Sequence, residues 1–153
     1  MTHETYMRLA LKLAQEAYDA GEVPVGCVIV KDGQVVGRGR NRREEKQSAL
    51  SHAEMEAIAE ACQTLGNWRL ADTSLYVTLE PCPMCAGGII SARIPALYYG
   101  AKDADFGACG SILNLFEESF RHHPKIVGHI LEDECAQLLQ AFFSQVRKKD
   151  LET

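Results

Sequence analysis

No run in this chain approaches the roughly 18 consecutive apolar residues that a membrane-spanning helix needs. The first 20 residues also lack the unbroken apolar core of a secretion signal, because Glu4, Arg8, Lys12, Glu16 and Asp19 interrupt it. These two absences point to a cytoplasmic protein with no membrane partner. There is no basic excess either: the formal charge is -5, which argues against broad, non-specific nucleic-acid binding. Repeats, low-complexity tracts and linkers are missing, so residues 1–153 are expected to form a single domain. A chain of that length can bury a full core without a metal or disulfides to brace it.

The charge that is present is unevenly placed. Lys31, Arg38, Arg40, Arg42, Arg43 and Lys46 crowd one segment, against Asp32, Glu44 and Glu45, and Arg147-Lys148-Lys149 form a second basic cluster. A solvated hairpin and a helix end suited to its dipole explain both clusters as well as a phosphate-gripping surface does. Six cysteines would suggest a disulfide framework in a short secreted chain. Without a secretion signal, a metal or buried-thiol role is expected instead. Cys27, Cys62 and Cys135 sit in apolar or helical patterns and read as core residues.

Apolar spacing predicts a helix over 5–20, stopped by Gly21. Val23–Val30 and Val35–Arg40 read as strands joined across the Asp32-Gly33 turn signal. A helix capped by Ser51 should run to Gly66, followed by a buried strand from Ser74 to Leu79 and a helix after Pro81 as far as Ser91. A strand at 96–100, a short helix at 112–116, an edge strand at 126–130 and a closing helix at 133–147 complete the pattern. The fold class is therefore α/β, with helices on both faces of a mixed sheet.

Against that frame, His52-Ala53-Glu54 and Pro81-Cys82-Pro83-Met84-Cys85 carry the chemistry. Cys82 and Cys85 are spaced to share a helix face and to place both sulfurs near the positive end of its dipole. With His52 they make three metal ligands, and two thiolates with one imidazole favour zinc over magnesium or calcium. Three protein ligands leave one position for water, as a catalytic zinc requires. The two thiolates cancel the charge of the ion, so that water needs a nearby base, and Glu54 is the candidate. Residues two apart, like His52 and Glu54, can both approach one ion only where the chain is just entering its helix. Spare backbone N–H groups at a helix start, notably that of Cys82, can steady developing negative charge.

A closed, purely structural site would need a fourth ligand. Cys62 lies roughly 15 Å from His52 along a continuous helix and cannot reach the same ion. Cys109, His122, His123 and His129 have no spacing that recommends them; His122-His123-Pro124 reads as an exposed loop without a ligand role. Cysteine-nucleophile chemistry fits a His-x-Glu with a Cys-x-x-Cys less well than a metal does.

The H-x-E and P-C-x-x-C motifs are the signature of zinc deaminases. With Glu22-Val23-Pro24-Val25-Gly26, Gly39-Arg40-Asn41-Arg42, the run Leu75 to Cys82, and Gly107-Ala108-Cys109-Gly110-Ser111 in the same order, the chain resembles the tRNA adenosine deaminase branch of the cytidine-deaminase-like superfamily. The resemblance spans Tyr6 to about Arg147. It implies a three-layer α/β/α sandwich with about five strands, one zinc per subunit, a homodimer and a tRNA anticodon stem-loop as partner. It also implies hydrolysis of adenosine to inosine at the first anticodon position, in an arginine tRNA, with Glu54 moving protons from the zinc-bound water to the purine. Asn41 would hydrogen-bond the purine and Val23, Pro24 and Leu79 would enclose it. Asp103 and Phe143 would contact ribose or flanking nucleotides, or else serve as a loop cap and a core aromatic. Arg38, Arg40, Arg42, Arg43 and Arg147 would reach RNA phosphates. Two rivals remain: a deaminase of a free base or nucleotide such as guanine or deoxycytidylate, and a zinc-stabilised RNA-binding module without catalysis.

Overall fold

The structure, a computed structural model, describes residues 2–152; Met1 and Thr153, the ends of the expected domain, lie outside the described residues. Helix α1 (His3–Asp19) begins where the Thr2 hydroxyl accepts the Thr5 amide at 3.2 Å. Strands β1 (Gly26–Lys31) and β2 (Gln34–Arg40) follow, joined by Asp32 and Gly33, both with positive φ (50° and 74°). That is the backbone a two-residue hairpin turn demands. The strand expected from Val23 starts only at Gly26, because Pro24 has no amide to give a ladder and the Val25 amide turns back onto the Val23 carbonyl at 2.9 Å.

A one-turn helix α2 (Arg43–Lys46) precedes α3 (Ala53–Leu65), and β3 (Thr73–Leu79), α4 (Pro83–Ser91) and β4 (Ala96–Ala101) come next. A single 3₁₀ turn (Leu115–Glu117), β5 (Lys125–Val127) and α5 (Glu132–Glu152) close the chain. The five strands form one sheet in the order β2-β1-β3-β4-β5, with β1 antiparallel to both neighbours and β3, β4 and β5 parallel. This is the mixed sheet and α/β/α layering expected. Alternate side chains serve the two faces: Cys27, Ile29, Leu75, Val77 and Leu97 pack towards α3 and α4, while Val28, Val30, Tyr76 and Tyr98 pack towards α1 and α5.

Several local expectations give way. Ser51 does not cap α3; its carbonyl accepts the Arg42 amide at 3.0 Å, which keeps it extended, and His52 takes the cap position. The helix expected at 112–116 shrinks to the 3₁₀ turn, since the Asn114 side chain takes the Phe116 amide at 3.1 Å. The basic segment is not all hairpin, because its end coils into α2. The edge strand stops at Val127, and left-handed backbone at His129 and Leu131 turns the chain into α5. His122 and His123 do lie in a loop, His123 exposed and His122 partly buried, and their rings bond the carbonyls of Ile94 (2.6 Å) and Phe116 (3.0 Å). Cys27 and Cys135 are buried, whereas Cys62 is only partly so.

Two glycines of β2 bring α3 directly onto the sheet. A Cβ at Gly39 would collide with the Ala53 carbonyl, and one at Gly37 with the Ala57 carbonyl. Both obstacles are backbone, which cannot swing aside. Gly39→Ala is therefore expected to lower stability by at least about 2 kcal/mol, seen as a lower midpoint in urea unfolding, whereas Gly87→Ala, where nothing lies near, should change it little.

Candidate active site

Because β1 runs antiparallel to both β2 and β3, those two outer strands point the same way and the helices that follow them start at the same edge of the sheet. His52 is the N-cap residue of α3, with extended backbone, and Glu54 sits in the first turn. Cys82 is the N-cap residue of α4, where Pro83 opens the helix, and Cys85 follows in its first turn. The two starts converge: Nδ1 of His52 lies 3.6 Å from the Cys82 sulfur and 3.5 Å from that of Cys85. The three candidate ligand atoms lie within 4.8 Å of one another, a span that one metal ion can bridge. Among the described residues no other group of three such side chains does so.

The charge state of this cluster shows why a cation fits it. The hydrogen bond from the Cys85 thiol pulls Cys82 down to about 4, against the opposing effect of burial, and the same bond drives Cys85 strongly upward. His52 is raised, chiefly by its bond to Cys82. Burial pushes Glu54, only 4% exposed, up to about 7. Two sulfurs and a carboxylate crowded together each raise the cost of ionising the others, and a divalent cation would relieve that repulsion. The donor set, one imidazole and two thiols, suits zinc.

His52, Glu54 and Cys82 line a cavity of about 740 Å³. Val23, Asn41, Leu79, Asp103 and Phe143 line it, as does Arg43. Pro24 lies fully buried behind the wall, where Val25 is the lining residue instead. The side-chain Oδ1 of Asn41 accepts the Arg43 amide at 3.1 Å, so the side-chain NH₂ is the end left for a ligand. Asp103 does cap its loop, accepting the amides of Asp105 and Phe106 at 3.0 and 3.1 Å. Phe143 is 44% exposed and so is no core aromatic. Arg38, Arg40 and Arg42 face a separate groove with Leu13, Glu56 and Glu60, and Arg40 and Arg42 are both paired with Glu45, at 2.9 and 2.7 Å. Arg147 lies on α5, its Nε 3.4 Å from the Phe143 carbonyl.

Sequence reasoning passed over two buried carboxylates, each 2% exposed. Glu22 accepts the amides of Glu44 (3.1 Å) and Glu45 (2.8 Å), which ties down α2 beside Asn41. Glu80 accepts the amides of Asp103 (3.1 Å), Cys109 (2.8 Å) and Ser111 (3.2 Å) and the Ser111 hydroxyl (2.5 Å). Burial works to raise Glu80, but these donors outweigh it and hold the carboxyl below its ordinary value. The signal was available in part: Glu80 directly follows the apolar strand Leu75–Leu79, where a charge needs local partners. Lys102, Phe106 and Leu139 also line the cavity and carried no motif that would have marked them.

Comparison with known proteins agrees with this geometry. A family profile described as MafB19-like deaminase matches residues 1–147. A tRNA-specific adenosine deaminase of Bacillus subtilis (strain 168) is 48% identical over 147 residues, covering 95% of this chain and 91% of its own. The chain belongs to the tRNA-specific adenosine deaminase family. Among solved structures, one from a study of A-to-I editing by tRNA:A34 deaminases at the wobble position of transfer RNA superposes on this deaminase with a TM-score of 0.84, at 44% identity over 88% of this chain and 98% of that one. A guanine deaminase from Bacillus subtilis is more distant, with a TM-score of 0.66 and 34% identity over 94% of this chain and 95% of that one.

The arrangement separates ligands from base by position, and substitutions should separate them by effect. In the purified deaminase, His52→Ala or Cys85→Ala should lose the bound metal, measured by atomic absorption. Glu54→Gln should keep it while losing about 1,000-fold in deamination rate. Metal loss in Glu54→Gln would instead make that carboxylate a ligand.

Proposed function

We propose that this protein hydrolyses adenosine to inosine at the wobble position of a tRNA, with an arginine tRNA as substrate, as a single zinc-dependent domain spanning residues 1–153. The observation that carries the reading is the buried Glu54 beside the His52, Cys82 and Cys85 cluster, with Glu54, His52 and Cys82 lining a cavity. The near-full-length identity to tRNA-specific adenosine deaminases points that chemistry at tRNA.

A zinc ion held by His52, Cys82 and Cys85 would supply a water acidic enough to act as a nucleophile near neutral pH. Glu54, whose own carboxyl is raised to about 7 by burial, can both take a proton and give one back at that pH. It would accept the proton of the nucleophile and deliver it to N1 of the purine, then take the proton of the new C6 hydroxyl and pass it to the amine, which leaves as ammonia while the C6 oxygen becomes the carbonyl of inosine. Asn41 would donate through its amide to an acceptor on the purine, while Val23 and Leu79 enclose the ring and exclude water. The Cys82 main-chain N–H would face developing negative charge at the start of α4. Arg43 and Lys102 line the same cavity and would meet the phosphates on either side of the flipped nucleotide. Arg38, Arg40, Arg42 and Arg147 would serve phosphates farther along the stem.

We place this activity in the cytoplasm, where tRNA is used, and among the described residues no helix is long and apolar enough to cross a membrane. A homodimer is part of the same proposal, since Leu50, Ile112 and Leu113 are exposed apolar side chains that a second copy would cover. Light scattering should then give twice the 16.9 kDa chain mass.

The decisive assay offers the enzyme an arginine tRNA anticodon stem-loop, free adenosine and free guanine. Inosine at the wobble position alone is expected, with release of ammonia, and Glu54→Ala should abolish it. Deamination of guanine or of free nucleosides without RNA turnover would make the protein a free-base deaminase. RNA binding without any ammonia would leave a zinc-stabilised binding module.

A further inference from the structure

Phe106 is 67% exposed at the cavity, yet the backbone beneath it is tightly held. The Asp103 carboxylate accepts the amides of Asp105 and Phe106, and the Gly107 amide returns to the Asp103 carbonyl at 3.0 Å. The Asp103 amide is in turn bound by the buried Glu80, which also takes the amides of Cys109 and Ser111 on the far side of the loop. A Cβ at Gly107 would collide with the Glu80 carboxylate, so the loop cannot lie so close with any other residue there. Both ends of the turn that carries Phe106 are thus pinned to one buried anion.

A phenyl ring left in water gives up the stabilisation that burial would bring. A rigid loop that does so at the mouth of the catalytic cavity has no folding reason for it. The surroundings supply another reason. Arg43 and Lys102 bring positive charge to the same cavity, and Phe143 is a second half-exposed ring among its lining residues. Cations that follow a phosphate backbone, interleaved with aromatic faces on which bases stack, are the recurrent arrangement for holding single-stranded nucleic acid. A target base can enter the cavity only if the nucleotides beside it are splayed from their own stack.

Building on the tRNA function proposed above, we infer that Phe106 is a stacking platform for the base next to the target adenosine. The ring holds the opened anticodon loop in place while the target nucleotide occupies the cavity. Its role is to bind the neighbour, with no part in the proton transfers, so its effect falls on KM rather than kcat.

The test compares wild-type enzyme with Phe106→Ala, Phe106→Leu and Phe106→Trp on three anticodon stem-loops: intact, and abasic at the nucleotide before or after the target. On intact RNA, Phe106→Ala and Phe106→Leu should raise KM about tenfold with kcat changed less than about twofold, while Phe106→Trp stays near wild type. On one of the abasic RNAs the wild type should lose the same factor and the substitutions should then cost nothing more. Unchanged KM for Phe106→Ala on intact RNA overturns the inference. So does a loss that persists on both abasic RNAs, a loss confined to kcat, or full rescue by leucine. A wild-type enzyme that deaminates no RNA removes the tRNA reading itself, a result distinct from all of these.

Discussion

Helix α3 lies on β2 with no side chain between them at Gly37 and Gly39, and the placement of the catalytic groups depends on that contact. An ordinary residue at either position would force α3 away from the sheet, because the obstruction is its own main chain. The start of α3 carries His52 and Glu54, so a displaced helix would carry them away from the sulfurs at the start of α4. A related approach occurs between the helices themselves, where a Cβ at Gly88 would come within 2.9 Å of the Met55 sulfur. Close packing of backbone on backbone is rigid, and a site that must hold ligand atoms to within tenths of an ångström benefits from such support.

Three buried glutamates then show how environment divides one residue type into different roles. Glu22 and Glu80 are each surrounded by main-chain amides, which satisfy the charge and hold α2 and the 102–111 loop in place. Glu54 is as deeply buried but faces sulfurs and an imidazole in place of a nest of amides, and burial raises it to about 7. An anion bound by several amides stays an anion and makes a good strut; a carboxyl deprived of them sits where it can exchange a proton. Glu80 and Glu54 both line the cavity, so one residue type supplies support and a titratable carboxyl side by side.

Much of this was legible in the chain. Helical and alternating periodicities located the main elements, and Asp32-Gly33, Gly66 and Pro81 marked their ends for reasons of backbone geometry. The candidate metal motif could be read because metal ligation restricts both residue type and spacing, and the impossibility of a helical His52 and Glu54 facing the same way predicted that they sit at a helix start. What escaped were features made by contact between distant segments. Glu80 finds its partners 23 to 31 positions away, and Phe106 looks like any apolar residue until the loop it rides on is seen to leave it in water. Local competition misled as well: Ser51 has the chemistry of a cap, yet its carbonyl is engaged by Arg42.

The sequence by itself determined the reaction class, since one imidazole, two thiols and a spare carboxylate at this spacing admit few other uses. It also determined the α/β layering, because periodicity records which face of each element is dry. Tertiary structure decided which of the basic residues face the cavity, leaving Arg43 and Lys102 there and turning Arg38, Arg40 and Arg42 to another groove. It decided too that the loops beside the metal cluster are held by buried anions. Such matters depend on the direction of side chains and on hydrogen bonds between segments far apart in the chain, and neither leaves a periodic trace in the order of residues.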